Sequence, residues 1–589
     1  MTDDLYEPLS AYQNTFKAAH ARNVSELFEE LVRRSGVDER ANAATVAEVR
    51  ALERRRDAAS ESCGRWKLLR VCAVLFAVAC AVGAVLSIWA CVAPQAGLSP
   101  VRGAAGALAC LAGAAGSVAL IVSKVNARIR ATGARARALQ EQVSRKTAEA
   151  WAQMAPLNRL YDWDLAAKMM MKTVPRLVLD PYFSSGRLDE LRRAFGWDDG
   201  FNRDKSVLFA QSGALNGNPF VLAETLDFRM VQRTYTGSLS ISWREQERGP
   251  DGKTRWVTRH QTLHASVSKP APDHTRHKFL IYGNEAAPTL TFSREPSKLS
   301  APDDGLINKW RKGWEKSRLE ALSRNLDDDK GFTLMANSEF DLLFHAIDRS
   351  DEVQFRLLFT PLAQSQMVAL LKDKTVGYGD DFAFVKSRMI NWIAPRHLDG
   401  IDISAAPSLF HNFDLAAARK RFNEYHNGYF KAVFFAFAPL LAIPLYQQHR
   451  SHASIYADVY GKTASFWEDE AIANYHGEQV FRHPESVTAN LLKTALRHEE
   501  NGVRTLSVTA HGFRGHRRTD YVEKLGGDGR FHRVPVEWIE YEAVSRTSTL
   551  DVQETEGISQ QDYDRLTGAA DEWRERFTKW RAEPRRTVF

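Results

Sequence analysis

Residues Val71–Val122 read VCAVLFAVACAVGAVLSIWACVA, then PQAGLSP, then VRGAAGALACLAGAAGSVALIV. Each apolar run is about twenty residues long, the length at which a helix crosses roughly 30 Å of hydrocarbon. Pro94 and Pro100 bound the break between them. The stretch therefore predicts two transmembrane helices that a tight loop makes antiparallel neighbours. No Asp, Glu, Lys, Arg or His lies in the middle of either run. Ion and proton pathways need such groups, so the pair reads as an anchor rather than a pore. Ala105, Ala109, Gly113 and Ser117 recur every fourth position, as do Ala73, Ala77 and Ala81. Such ridges of small residues let two helix backbones approach closely.

Charge sets the orientation. Arg54, Arg55, Arg56, Arg65, Lys67 and Arg70 precede the first run, and Lys124, Arg128, Arg130, Arg135 and Arg137 follow the second. The connecting loop carries neither Lys nor Arg. Positive charge stays inside, so both ends are expected in the cytoplasm of a multi-pass cell-membrane protein. Lys67, Arg70, Lys124, Arg128 and Arg130 are the candidate membrane-interface residues, placed to set topology and to meet anionic headgroups. The N-terminus MTDDLYEPLS is acidic and polar, unlike a cleavable leader, so the first run is expected to act as an internal anchor.

Composition narrows the class. The chain has 589 residues, 26% of them charged, and a mean hydropathy of -0.36. These values fit several folded units with a small membrane part and exclude a many-span transporter. The net charge is +7. Its basic clusters flank the apolar runs instead of forming a separate patch, which points to a lipid bilayer as partner and away from nucleic acid. All five cysteines, Cys63, Cys72, Cys80, Cys91 and Cys110, lie in or beside the apolar runs. No disulfide or cysteine-ligated zinc site can form from residue 111 onward.

The rest of the chain divides by pattern. Residues 1–62 carry apolar residues at helical spacing (Leu27, Leu31, Val32; Val46, Val49, Leu52) and predict a cytosolic helical arm before the hairpin of 63–123. Residues 124–176 predict a juxtamembrane helix, with Ile129, Ala136, Val143 and Ala150 at heptad spacing and Leu139 between, a weak coiled-coil signal. Residues 177–413 predict a β-rich α+β soluble domain. Tyr235, Leu239, Ile241 and Trp243 alternate with serines, Gly249-Pro250-Asp251-Gly252 marks a turn, and WVTRHQTLHASV supplies the partner strand. FLIYG and LTFSR predict further strands, NGNPF and KPAPD loops, and Thr360-Pro361 a capped helix start.

Within that domain, NSEFDLLFHAIDRSDEVQFRLLFTPLAQSQMVALL resembles a family of uncharacterised bacterial membrane proteins. In that family a two-helix transmembrane hairpin precedes a cytoplasmic domain of unknown function. Glu339-Phe340, Phe344, Glu352, the Leu358 to Pro361 run and Met367 carry the resemblance, which spans about residues 60–413. It implies the architecture and no activity, and the C-terminal part departs from it.

Residues 414–448 hold an amphipathic helix and a third apolar run, Ala432–Tyr446, interrupted by Pro439 and Pro444. Three readings stand: a short span, an interfacial segment, or a buried core element. A crossing here would place residues 449–589 outside the cell. That mixed C-terminal region predicts helices at SFWEDEAIANYHGEQ and SVTANLLKTALRHEE. Strands are predicted at TLSVTAHGF, DYVEKL and VEWIEYEAVS, and a terminal amphipathic helix at QQDYDRLTGAADEWRERFTKWRAE.

Motifs of chemistry fail on spacing. Gly461-Lys462-Thr463 lacks the earlier glycine of a phosphate loop, since residue 456 is Tyr456. His498-Glu499 lacks a second histidine, since residue 502 is Gly502. Asp327, Asp329 and Gly331 miss the calcium-loop register. His260 and His264 lie too far apart on an extended strand to share a metal. His511 and His516 with Arg514, Arg517 and Arg518 form a basic stretch whose default is a solvated strand. No cofactor or metal is expected. The expected function is a non-enzymatic, membrane-anchored scaffold or interaction protein at the cytoplasmic face, with a protein partner or self-association. Two alternatives are a membrane-bound hydrolase with a non-local site in 177–413, among Asp380, Asp381, His345 and Asp348, and an accessory subunit of a transport or envelope complex.

Overall fold

In a computed structural model the chain is a mixed helix-and-sheet protein with two long apolar helices. The structure describes residues 7–92, 100–248, 254–300, 306–324, 332–447, 463–500, 503–554 and 586–588. The chain divides into two units: Glu26–Tyr161 with Pro407–Asn423, and Met1–Ser25 with Asp162–Ala406 and Glu424–Phe589. The expected turn at 249–252, the calcium-like stretch 327–331 and the terminal helix from Gln560 lie largely or wholly outside the described residues.

The described residues of the N-terminal part are mainly helical: α1 (Pro8–Ala11), α2 (Lys17–Ser35), α3 (Glu39–Val92), α4 (Pro100–Leu120) and α5 (Asn126–Asn158). With 54 residues, α3 extends about 80 Å. Chain α4, a π-helical turn at Ile121–Val125, and α5 run back along it. The inward face of α3 includes Val49, Cys63, Ala73, Ala77, Cys80, Ala84 and Ser87, a period of 3.5 residues. Ala107, Cys110, Gly113 and Ser117 face it from α4. A Cβ on Gly113 would sit 3.2 Å from the Cys80 Sγ, and one on Gly83 3.2 Å from the Cys110 Sγ. Close approach thus depends on glycine meeting cysteine. The expected ridge is corrected in part: Ala81, Ala105 and Ala109 are exposed. A four-residue spacing drifts off a contact line that repeats every 3.5 residues.

On α5, Val143 and Ala150 are buried and Ile129 and Ala136 half-buried, so the expected heptad positions do face α3. The expected continuous helix to 176 stops at Asn158. The base of this helical unit is tied by amide bonds. Asn158 donates to the Asn412 carbonyl while Asn412 N–H donates to the Asn158 Oδ1, and Asn42 bridges Phe413 and Leu415 in the same way.

The second unit is built on sheets. After α6 (Leu165–Thr173) come β1 (Leu177–Leu179), α7 (Ser185–Phe195), β2 (Lys205–Leu215), β3 (Asn218–Arg248), β4 (Thr254–Gly283) and β5 (Thr291–Arg294). Helices α8 (Leu306–Arg324), α9 (Ser338–Phe344), α10 (Glu352–Leu358) and α11 (Pro361–Lys372) follow, then β6 (Phe382–Ser387), β7 (Ile390–Pro395) and α12 (Leu415–Leu441). The seven strands form one antiparallel sheet in the order β1-β2-β3-β4-β7-β6-β5. The expected hairpin is present, with Leu239 opposite Leu263 and Tyr235 opposite Val267. Thr360 caps α11 by accepting from Ala363 N–H, as its position before Pro361 predicts.

Three local expectations are corrected. Within NGNPF only Asn216 and Gly217 turn, at φ +53 and +84, a two-residue hairpin turn, and Asn218–Phe220 is strand. KPAPD lies inside β4, with Pro270 opposite Gln232 and Pro272 opposite Met230. Along that stretch β4 has no further strand partner among the described residues, so a proline's missing N–H costs no ladder bond. SVTANLLKTALRHEE is not helical: Leu491–Glu500 is strand β8.

The third apolar run is core. From Ala432 to Leu441 on α12 and on to Ile443 every residue is buried, the helix-interior Pro439 included, and Phe434, Phe437, Leu440 and Ile443 are each at most 3% exposed. They pack with Phe220, Leu280, Phe340, Phe359, Met367 and Phe384. The chain on both sides of this run belongs to the same unit.

The C-terminal region comprises α13 (Phe466–Phe481), β8, β9 (Val503–Leu525), β10 (Phe531–Glu554) and β11 (Arg586–Val588), with sheet order β11-β10-β9-β8. It repeats the plan of α7-β2-β3-β4: a helix, a short strand, then a long hairpin. The two helices begin alike. Ser184 caps α7 by accepting from Arg187 N–H, and Ser465 caps α13 by accepting from Glu468 N–H. Ser185 N–H donates to the Thr463 carbonyl, and Ser465 N–H to the Phe183 carbonyl. The two copies therefore meet through reciprocal bonds. Asn216-Gly217 follows β2 and Asn501-Gly502 follows β8, and eleven residues beyond each glycine stands Phe-Arg: Phe228-Arg229 and Phe513-Arg514. The two hairpins stack through Leu263, Ala265, Val534 and Val536.

Candidate functional site

Two helical stretches, Glu39–Trp89 and Ala104–Asn158, contain segments long and apolar enough to cross a membrane, and only 6% of each such segment is buried. A core helix of a water-soluble fold would be mostly covered. Here Leu68, Leu69, Val71, Val74, Leu75, Phe76, Val78, Val82, Val85, Leu86, Ile88 and Trp89 of α3 are 42–66% exposed. Leu108, Leu111, Val118, Leu120 and Val122 add to the same surface. Leaving such side chains half in water costs on the order of 1 kcal/mol each. Their sum, on the order of 15–20 kcal/mol, is what covering the surface would gain, and an exposed apolar patch of this size marks a membrane or protein contact face.

Its ends are marked. Trp66 and Trp89 stand 23 residues apart on α3, about 34 Å along the axis, close to the thickness of the hydrocarbon layer. Aromatic residues at such ends fit the interfacial belts of membrane helices. Lys67, Arg70, Lys124, Arg128 and Arg130 are all exposed. They sit at one end of the pair, because Cys63 of α3 packs against Gly133 and Ile129 of the returning chain. The π-turn at Ile121–Val125 falls at the same level and turns Val125 fully inward, at 0% exposure.

The titratable candidates of the sheet unit do not converge on one site. Asp380 pairs with Arg294 at 2.5 Å, both at most 1% exposed, and also accepts from Ser297 N–H. Burial pulls the Arg294 guanidinium below its usual range, against the attraction of Asp380. Asp381 accepts from His397, whose ring stacks on Tyr378 at 3.9 Å. His345 meets Glu315 at 2.7 Å. Asp348 caps Ser293. The space beside Asp381 is about 10 Å³, room for one water at the most. His260 and His264 are exposed on β4, and His498 lies on strand β8 rather than a helix. Arg514 and Arg518 face Glu542 and Glu540 across β9 and β10, so two of the three arginines of the basic stretch are paired within their own ribbon. Among the described residues no group of three His, Cys, Asp or Glu side chains is arranged to hold a metal.

Several buried polar groups had no signal in the sequence. His20 stacks on Phe430 at 4.0 Å and bonds Thr173, and burial pushes it down to about 4. Lys386 is 1% exposed, donates to the Ala286 carbonyl, and is pushed down to about 7 by burial. Asp341 and Arg349 form a second buried pair, the Asp341 carboxyl raised by burial against the pull of Arg349. A larger cavity, about 200 Å³, opens where the two repeats meet, lined by Phe228, His274, Leu491, His511 and Phe513. Burial lowers both His274 and His511, favouring neutral imidazoles.

Comparison with protein-family models, curated proteins and solved structures finds no match for this chain.

Proposed function

We propose that the protein is an anchored scaffold or interaction protein at the cytoplasmic face of a bacterial cell membrane, its helical hairpin crossing the bilayer with both ends inside. The observation that carries this is the exposed apolar surface of α3 and α4, flanked by Trp66 and Trp89, with basic clusters at one end and Arg102 alone at the other. A bilayer covers such a surface without any further protein. The interaction role has separate support in the stacked β-ribbons, which expose Trp256, Tyr521, Leu525 and Phe531 at 58–71%. Large apolar side chains held out on rigid ribbons are suited to a protein partner or a second copy of the chain.

Two experiments test the proposal. Alkaline carbonate extraction of membranes should leave the protein in the pellet, and release into the supernatant would count against a spanning hairpin. Crosslinking and mass spectrometry from intact membranes should recover links from Lys524 beside the ribbon tip to a partner or a second copy. Links confined to the chain itself would remove the interaction role.

A further inference from the structure

We infer that α8 is a second membrane contact, an amphipathic helix that lies on an anionic lipid surface. The inference rests on the membrane reading above and extends it to the sheet unit. In α8, Glu315 and Leu319 are buried at 8% and 1%, and Leu322 packs half-buried against the core. At about 100° per residue, Trp310, Trp314, Ser317 and Ala321 fall on the opposite, outward face. Trp310 is 74% exposed and Trp314 57%. Arg311 and Arg318 border this stripe on one side and Arg324 on the other, all exposed. Of the two acids, Glu315 is turned inward, where it bridges Arg318 at 2.8 Å and His345 at 2.7 Å, and Glu320 lies half-buried on the flank beside Arg324. Arg318 also stands over the Trp314 ring at 5.9 Å.

Charge decides the occupant. A protein groove for two tryptophans needs no cationic border, whereas a lipid surface takes the indoles at headgroup depth and the flanking Lys and Arg at the phosphates. The basic flanks add attraction only where the surface is anionic, and salt screens it.

The test uses the full chain in nanodiscs of brominated lipid, whose bromines quench tryptophans they touch. The discs contain phosphatidylcholine alone or mixed with phosphatidylglycerol. Replacing Trp310→Phe with Trp314→Phe should remove part of the quenching in phosphatidylglycerol discs, and much less in phosphatidylcholine discs or at high salt. Replacing Trp66→Phe with Trp89→Phe should remove quenching in both lipids. If only the second pair matters, the α8 inference is overturned and the membrane reading stands. If neither pair matters, both fall. Trp310 and Trp314 shielded from aqueous iodide yet unquenched by lipid would mean that protein covers them, and would also overturn the inference.

Discussion

Phe228 and Phe513 stack with ring centroids 5.3 Å apart and planes 25° from parallel, each eleven residues past an Asn-Gly pair and each followed by arginine. The contact joins equivalent points of two β-units built to one plan. The ribbons that run on from it depend on close approach, since a Cβ at Gly237 would overlap the Pro535 carbonyl. Gly237→Val is therefore expected to destabilise the sheet unit by about 1–3 kcal/mol or more, the usual cost of overpacking. Limited proteolysis should show faster cleavage in 235–267 and 520–540. An unchanged pattern would mean that the ribbons do not stack.

The hairpin register can be read by oxidation. With a Cβ at residue 113 lying 3.2 Å from the Cys80 Sγ, Gly113→Cys should form a disulfide with Cys80 under mild oxidant. Gly83→Cys should do the same with Cys110. Peptide mass spectrometry would identify the pairs, and links to other cysteines instead would displace the register.

Asp380 and Arg294 are structural partners, so removing one leaves a lone buried charge. Asp380→Ala is expected to cost about 3–5 kcal/mol in denaturant unfolding of the full chain in detergent. Joint replacement by Arg294→Met and Asp380→Leu should cost less. A catalytic role for Asp380 predicts instead a stable variant without activity.

Acid should loosen the sheet unit. Burial pushes His20 from 6.5 to about 4 and His426 to about 3, so both stay neutral when folded and take up protons on unfolding. Between these values and 6.5 the unfolded chain binds more protons, so stability is full above about pH 6.5 and falls as the pH drops toward 4. The slope is at most about 1.4 kcal/mol per pH unit for each histidine. Unfolding midpoints across this range should show the loss, and His20→Phe should flatten it. Midpoints that rise on acidification would contradict the buried placement.

What the sequence disclosed follows from how local each signal is. The hairpin of β3 and β4 was legible because Leu239, Ile241 and Trp243 alternate strictly beside a turn-rich stretch. Leu491–Glu500 was not, because its leucines also suit a helix and only pairing with β9 makes it a strand. Hydropathy could not tell the exposed run Val71–Trp89 from the core run Ala432–Tyr446. The difference lies in the aromatic shell of Phe220, Phe340, Phe359 and Phe384 that tertiary folding wraps around the second. The Arg294–Asp380 and His20–Phe430 contacts join residues far apart in the chain and leave no mark in sequence spacing.

A reporter-fusion series tests the central claim most directly. Alkaline phosphatase should be active when joined within residues 94–100, and green fluorescent protein should fluoresce when joined after Thr173 or after Phe589. Phosphatase activity from a fusion after Thr173 would put the sheet unit outside the cell and contradict the account.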